Sequence, residues 1–141
     1  MYKRILVPLE NGPADQTILR HVTSLAKLSG AEVILIHVAD GWAARNMEQL
    51  NLKESEEMKE DRTYLERMAN DLRAAGLEVD AVLAAGDPAQ EIAAAAEREK
   101  CDLIALATHG HRLLEDVVRG STATALRHNT RIPVLMVRSD S

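Results

Sequence analysis

Phenylalanine is absent from this sequence, and aromatic residues make up only 2% of it. Proteins that bind nucleic acid usually combine stacking aromatics with a basic face. This chain shows neither, and its formal net charge is -5. Nucleic acid is therefore not an expected partner, and a polyanionic ligand would need local backbone donors and a few placed cations. A single cysteine, Cys101, excludes an internal disulfide framework. It stands just before an expected buried strand and reads as structural. No apolar run approaches the ~20 residues that cross a bilayer, so no membrane partner is expected. Met1-Tyr2-Lys3-Arg4 leads directly into a strand pattern, without an apolar signal segment and cleavage site. These features together point to the cytoplasm.

Three common motifs are also missing. There is no G-x-x-x-x-G-K-[ST], hence no P-loop lysine, and no G-x-G-x-x-G after the first strand. There is no G-x-S-x-G nucleophile elbow.

What the 141 residues do contain suits one domain over 1–141 with a sizeable core. Apolar content of 46% and charged content of 28% are ordinary for a globular chain. Tyr2 to Leu9 reads as the first strand, with Ile5-Leu6-Val7 apolar and Pro8 near its end. Asn11-Gly12-Pro13 is a turn. A helix follows from Pro13 or Ala14 to Ser29, burying Ile18, Val22, Leu25 and Ala26, with Gly30 just past its end. Glu32 to Val38 is a second strand, apolar enough to be covered on both faces. Residues 41–50, with Trp42, form an irregular connection. From about Glu48 to Ala75 the chain is charged, and Leu52, Met58, Leu65, Met68, Ala69 and Leu72 make an amphipathic stripe. The charge run Glu54 to Glu60 reads as a solvated face. Glu78 to Ala84 is the third strand. Asp87 caps a helix with Pro88 at its first position and Gln90 able to reach back, running to about Lys100. Asp102 to Ala107 is the fourth strand, Thr122 to His128 a short helix, and Ile132 to Val137 the last strand. Pro133 puts that last strand at an edge or interface. This alternation specifies a parallel, doubly wound α/β sheet with right-handed crossovers.

The chemistry lies after the fourth strand. Ala107-Thr108-His109-Gly110 is followed by nine residues, His111 to Arg119, and then Gly120-Ser121-Thr122. In an open α/β sheet, a glycine-bearing loop at the carboxyl end of a strand is where ligands bind. Leu113, Leu114, Val117 and Val118 fit a short helical turn on the sheet, so both ends of the loop can converge on one ligand. Gly110 allows close backbone approach. Gly120 and the N–H groups of Ser121 and Thr122 can form an anion nest. His111, Arg112 and Arg119 add positive charge.

At this point the chain resembles the universal stress protein family. ATP-binding members carry G-x2-G-x9-G-[ST] here, and Ala107 through Ser121 matches all but the first glycine. The likeness extends to Ile5-Leu6-Val7-Pro8, to His37-Val38, and to Arg131-Ile132-Pro133-Val134-Leu135-Met136-Val137. It implies a five-stranded Rossmann-like sheet of the adenine nucleotide alpha hydrolase type, in strand order 3-2-1-4-5. It also implies a homodimer formed through the last strand, Pro133 to Val137. The implied cofactor is ATP, with Mg2+ held mainly by its phosphates. Carried over by motif, Pro8, Leu9 and Glu10 and, on the second strand, Val38 meet the adenine and ribose. Ala107 underlies the base or ribose. Gly110, Gly120, Ser121 and Thr122 face the phosphates, and Thr108, His109, His111 and Arg112 complete the expected cofactor-binding set. Three departures stand out: Glu10 where Asp is frequent, Gly12 where Ser is frequent, and Ala107 for the first motif glycine. They are expected to tune binding rather than abolish it. The implied role is regulatory, in the stress response and without efficient catalysis, with occupancy altering the loop from Ala107 to Gly120.

Rival readings are weaker. His109 and His111 flank Gly110, with His37 and His128 elsewhere, but only Glu115 and Asp116 stand near as acidic partners, short of a structural zinc set. Ser121 at a helix start is a cap or phosphate donor before it is a nucleophile. Glu10 has no identified attacking water, which leaves slow ATP hydrolysis open. A nucleotide-independent dimeric interaction module, using the apolar last strand, is the alternative from another functional class.

Overall fold

The computed structural model describes residues 1–40, 52–109 and 122–139. The expected connection with Trp42 and the apolar turn from Leu113 to Val118 lie outside these residues. In chain order the elements are β1 (Arg4–Pro8), α1 (Ala14–Ser29), β2 (Glu32–Asp40), α2 (Leu52–Ala74), β3 (Val79–Gly86), α3 (Pro88–Arg98), β4 (Leu103–His109), a helix over 122–129 named α4, and β5 (Val134–Ser139). The strands form one parallel sheet in the order β3-β2-β1-β4-β5. This is the doubly wound architecture, with helices on both faces.

The alternation of side chains along each strand divides the core. Ile5, Val7, Val33 and Leu35 pack with Ile18 and Val22 of α1 and Leu65 and Leu72 of α2. Leu6, Ile34, Ile36 and Ile104 pack on the other face with Ile92 and Ala96 of α3 and Leu126 of α4. The central strands are apolar on both faces because both faces are covered. The stripe on α2 buries Leu65, Met68, Ala69 and Leu72. Cys101 lies in the α3-side core, 5% exposed, and burial pushes its thiol up to about 11.

Several boundaries differ from expectation, for reasons visible in the pairing. Pro13 is the N-cap of α1 and not its first helical residue, and Gly30 closes the helix in the left-handed region at φ 70. β2 and β3 run on together to Asp40 and Gly86. β4 continues past Ala107 because β5 continues beside it, pairing Thr108 with Arg138 and His109 with Ser139. Asp87 caps α3 as expected, its carboxylate accepting from Gln90 N at 3.1 Å.

The two edges are finished differently. On the outer side of β3, the Arg73 guanidinium from α2 donates to Val79 O through Nε at 3.1 Å and Nη2 at 2.6 Å. A charged group over an edge carbonyl discourages strand addition. β5, at the other edge, presents Met136 with 52% exposure. No helix among the described residues is long and apolar enough to cross a membrane.

Candidate functional site at the split between β1 and β4

The order β3-β2-β1-β4-β5 places its topological switch point between β1 and β4. Crevices for ligands open at the carboxyl ends of the strands at such a point. Here the crevice has a specific cause. Leu9 N donates to Ile36 O at 2.8 Å, so the odd-numbered residues of β1 face β2. The even-numbered ones face β4, as Arg4 O does in accepting from Asp102 N at 2.9 Å. Pro8 is thus turned toward β4, where a ladder requires an N–H that proline lacks. Pairing between β1 and β4 accordingly ends at Leu6 and Ile104.

The neighbours do not stop there. β1 ends at Pro8, opposite Ile36, whereas β2 runs on to Asp40 and β4 to His109. The result is a notch above Pro8, walled by the ends of β2 and β4. Two strand spacings make it about 9.5 Å wide, and four residues of β2 make it about 13 Å deep. Ile36 O faces β1, so two residues on, the N–H and C=O of Val38 face the notch. On the opposite wall Ile104 N donates to Pro133 O at 2.9 Å, toward β5. The backbones of Ala107 and His109, odd where Ile104 is even, therefore face the notch.

The floor is held by a polar network. The Asp15 carboxylate, 2% exposed at the start of α1, accepts Glu10 N at 3.0 Å, Asn11 N at 2.9 Å and Gly12 N at 3.3 Å. It also accepts the Tyr64 hydroxyl from α2 at 2.6 Å. Burial and the bond to Asp15 push the Tyr64 phenol well above its ordinary range. His37 Nδ1 lies 2.9 Å from Leu9 O, and its Nε2 lies 3.5 Å from Asp61 Oδ2. Asp61 Oδ1 in turn accepts Asn11 Nδ2 at 3.4 Å. On the far side of α1, Thr17 Oγ1 meets Ser139 Oγ at 3.2 Å.

The structure therefore brings Pro8, Leu9, Glu10, Val38 and Ala107 together around one notch. The Ala107 methyl packs against the α1-side core with Leu135 and Val137. Only its backbone lies on the wall. Thr108 is adjacent, but its backbone turns to β5. Thr122 opens α4, whose Leu126 anchors it on the α3 face. Gly110, His111, Arg112, Gly120 and Ser121 lie outside the described residues, as do Glu115, Asp116 and Arg119. Among the described residues no three His, Cys, Asp or Glu side chains gather as a metal site.

Sequence reasoning passed over Asp15, Asp61 and Tyr64. One signal was available: Asp61, Leu65, Met68 and Leu72 recur at helical spacing. A carboxylate on that stripe faces the body of the protein and needs a partner there.

Residues 1–138 match the model of the universal stress protein family. Universal stress protein MJ0531 of Methanocaldococcus jannaschii is 31% identical over 144 residues, covering 98% of this chain and 83% of its own length. The solved structure of MJ0577 is 30% identical, with a TM-score of 0.85, covering 100% of this chain and 99% of the other. Two further solved structures share the fold. One is a universal stress protein in complex with cAMP, 16% identical, with a TM-score of 0.69 and coverage of 96% of each chain. The other is the universal stress protein from Archaeoglobus fulgidus in complex with dAMP, 21% identical, with a TM-score of 0.70, covering 96% of this chain and 98% of its own.

Proposed function

The chain belongs to the universal stress protein family, and from that premise we propose that it binds an adenine nucleotide in the notch above Pro8 and acts as a nucleotide-responsive regulatory protein in the stress response. One observation carries this reading: β1 ends early, so the wall residues Val38 and Ala107 turn backbone groups toward an open slot. Val38 offers an N–H donor and a C=O acceptor to the same side. Adenine presents the complement, an acceptor ring nitrogen beside an amine donor. Guanine presents a carbonyl where adenine has its amine, and so fits less well. Universal stress proteins of this fold in complex with cAMP and with dAMP support an adenine nucleotide as the ligand class.

In the proposed complex, ATP lies with its base and ribose near Leu9, Glu10 and Val38. Its phosphates extend toward Gly110, His111, Arg112, Gly120, Ser121 and Thr122. Mg2+ is held chiefly by the phosphates. Occupancy acts on the segment from Ala107 to Gly120 and through it on a homodimer. The proposed dimer contact is β5, the edge strand that carries exposed Met136. Efficient catalysis is not part of the proposal.

Calorimetric titration with ATP tests it. The wild-type protein is expected to bind, and Gly120→Arg, which fills the phosphate space, is expected to weaken binding by about tenfold or more while keeping the fold. Unchanged affinity in a folded Gly120→Arg variant overturns the assignment. The exposed β5 edge also favours a second reading, a dimeric interaction module that needs no nucleotide. Failure of ATP, ADP, AMP and cyclic nucleotides to bind at millimolar concentration would support that reading instead.

A further inference from the structure

The facing edges of β1 and β2 part company one bond earlier than their lengths require. Glu32 N donates to Lys3 O at 2.9 Å, and Leu9 N donates to Ile36 O at 2.8 Å. In a regular parallel ladder the next bond runs from Val38 N–H to Leu9 O. Among the described residues that bond is not made. The Leu9 carbonyl is instead engaged by His37 Nδ1 at 2.9 Å. A carbonyl only accepts, so Nδ1 carries a proton in this contact. Asp61 Oδ2 lies 3.5 Å from Nε2 and holds the ring from its other side when that nitrogen is protonated as well. His37 is thus the neighbour in sequence of the very residue whose N–H is left over. Its side chain stands on the α2 side of the sheet while the Val38 backbone faces the notch.

We infer that His37, supported by Asp61 of α2, is a positioning residue for base recognition: by holding the Leu9 carbonyl it keeps the Val38 N–H out of the sheet and open to a ring nitrogen of a purine. The inference rests on the adenine-nucleotide reading of the notch and adds a selectivity element to it. Without a donor at His37, the Leu9 carbonyl is released to Val38. The ladder then closes by one bond, and the donor presented to the base is lost. The phosphate end of the site is untouched by that change.

Two measurements on the full chain test this, with His37→Leu removing the donor and His37→Asn keeping one near the Nδ1 position. The first needs no nucleotide: amide exchange at Val38 followed by NMR. Val38 is expected to exchange readily in the wild-type protein, and about tenfold or more slowly in His37→Leu, where the new bond protects it. The second is calorimetry with ATP and with inorganic tripolyphosphate. His37→Leu is expected to bind ATP about tenfold more weakly, the effect of one hydrogen bond, with tripolyphosphate unchanged within about twofold. His37→Asn is expected to recover most of the ATP affinity. A Val38 amide as protected as that of Ile36 in the nucleotide-free wild-type protein overturns the inference. So does ATP binding by His37→Leu at the wild-type level, or an equal loss of ATP and tripolyphosphate. If the wild-type protein binds no ATP, the reading of the notch falls, and the amide measurement still decides separately whether His37 holds the ladder open.

Discussion

Asp15 on α1 and Tyr64 on α2 meet beneath the notch, the tyrosine hydroxyl donating to the buried carboxylate at 2.6 Å. Because Asp15 also takes the backbone N–H groups of Glu10, Asn11 and Gly12, one side chain fixes the whole turn after β1. Asp15→Ala would strand those donors. It is expected to lower the free energy of unfolding by about 3 kcal/mol, whereas Tyr64→Phe, which leaves the backbone bonds in place, costs about 1 kcal/mol. Urea denaturation of both variants measures this. Equal effects would contradict the hierarchy.

The same pair makes stability pH-dependent at the alkaline end. Burial, followed by the hydrogen bond to Asp15 and its charge, raises the Tyr64 phenol in the folded state. The folded protein then holds this proton more tightly than the unfolded chain, whose tyrosine titrates near about 10. The contribution is fully present below that pH and is lost as pH rises above it toward the folded value. Urea midpoints measured from pH 8 upward are expected to fall less steeply in Tyr64→Phe than in the wild-type protein. Parallel curves would show that Tyr64 does not carry the effect.

The resemblance to the family leads one to expect glycine at position 107; the Ala107 methyl belongs to the α1-side core with Leu135 and Val137. Ala107→Gly removes packing and frees the backbone in a strand. It is expected to cost about 1 kcal/mol of stability and to leave ATP affinity within about twofold. Thermal denaturation and calorimetry on the same variant check both halves. A large gain in affinity would mean that the methyl obstructs the ligand.

Much of this was legible in the sequence because it depends on local signals. Asp87-Pro88 marks the start of α3, Gly30 the end of α1, and the apolar runs mark the strands. Their alternation specifies the parallel sheet, and the resemblance carried the strand order. The limits of β4 were not local: Thr108 and His109 are in a strand only because Arg138 and Ser139 lie beside them. Pro8 could be read as a strand end. That its missing N–H points at β4, and so opens the notch on that side, follows only from knowing which residues of β1 face β2. Asp61 and Tyr64 escaped notice because their partners Asn11, His37 and Asp15 are distant in sequence, and Asp15, though its backbone partners are local, meets Tyr64 only through the fold. Asp61 and Tyr64 sit within a charged helix, where ionisable side chains are normally left to solvent.

Titration of isotope-labelled protein with ATP, followed through its backbone amides, tests whether the notch above Pro8 takes an adenine nucleotide. Saturable shifts are expected, concentrated at Leu9, Val38, Ala107 and Thr122, with the N-terminal starts of β2 and β3 unmoved. No shifts at millimolar ATP, or shifts confined to residues away from the notch, would contradict this assignment.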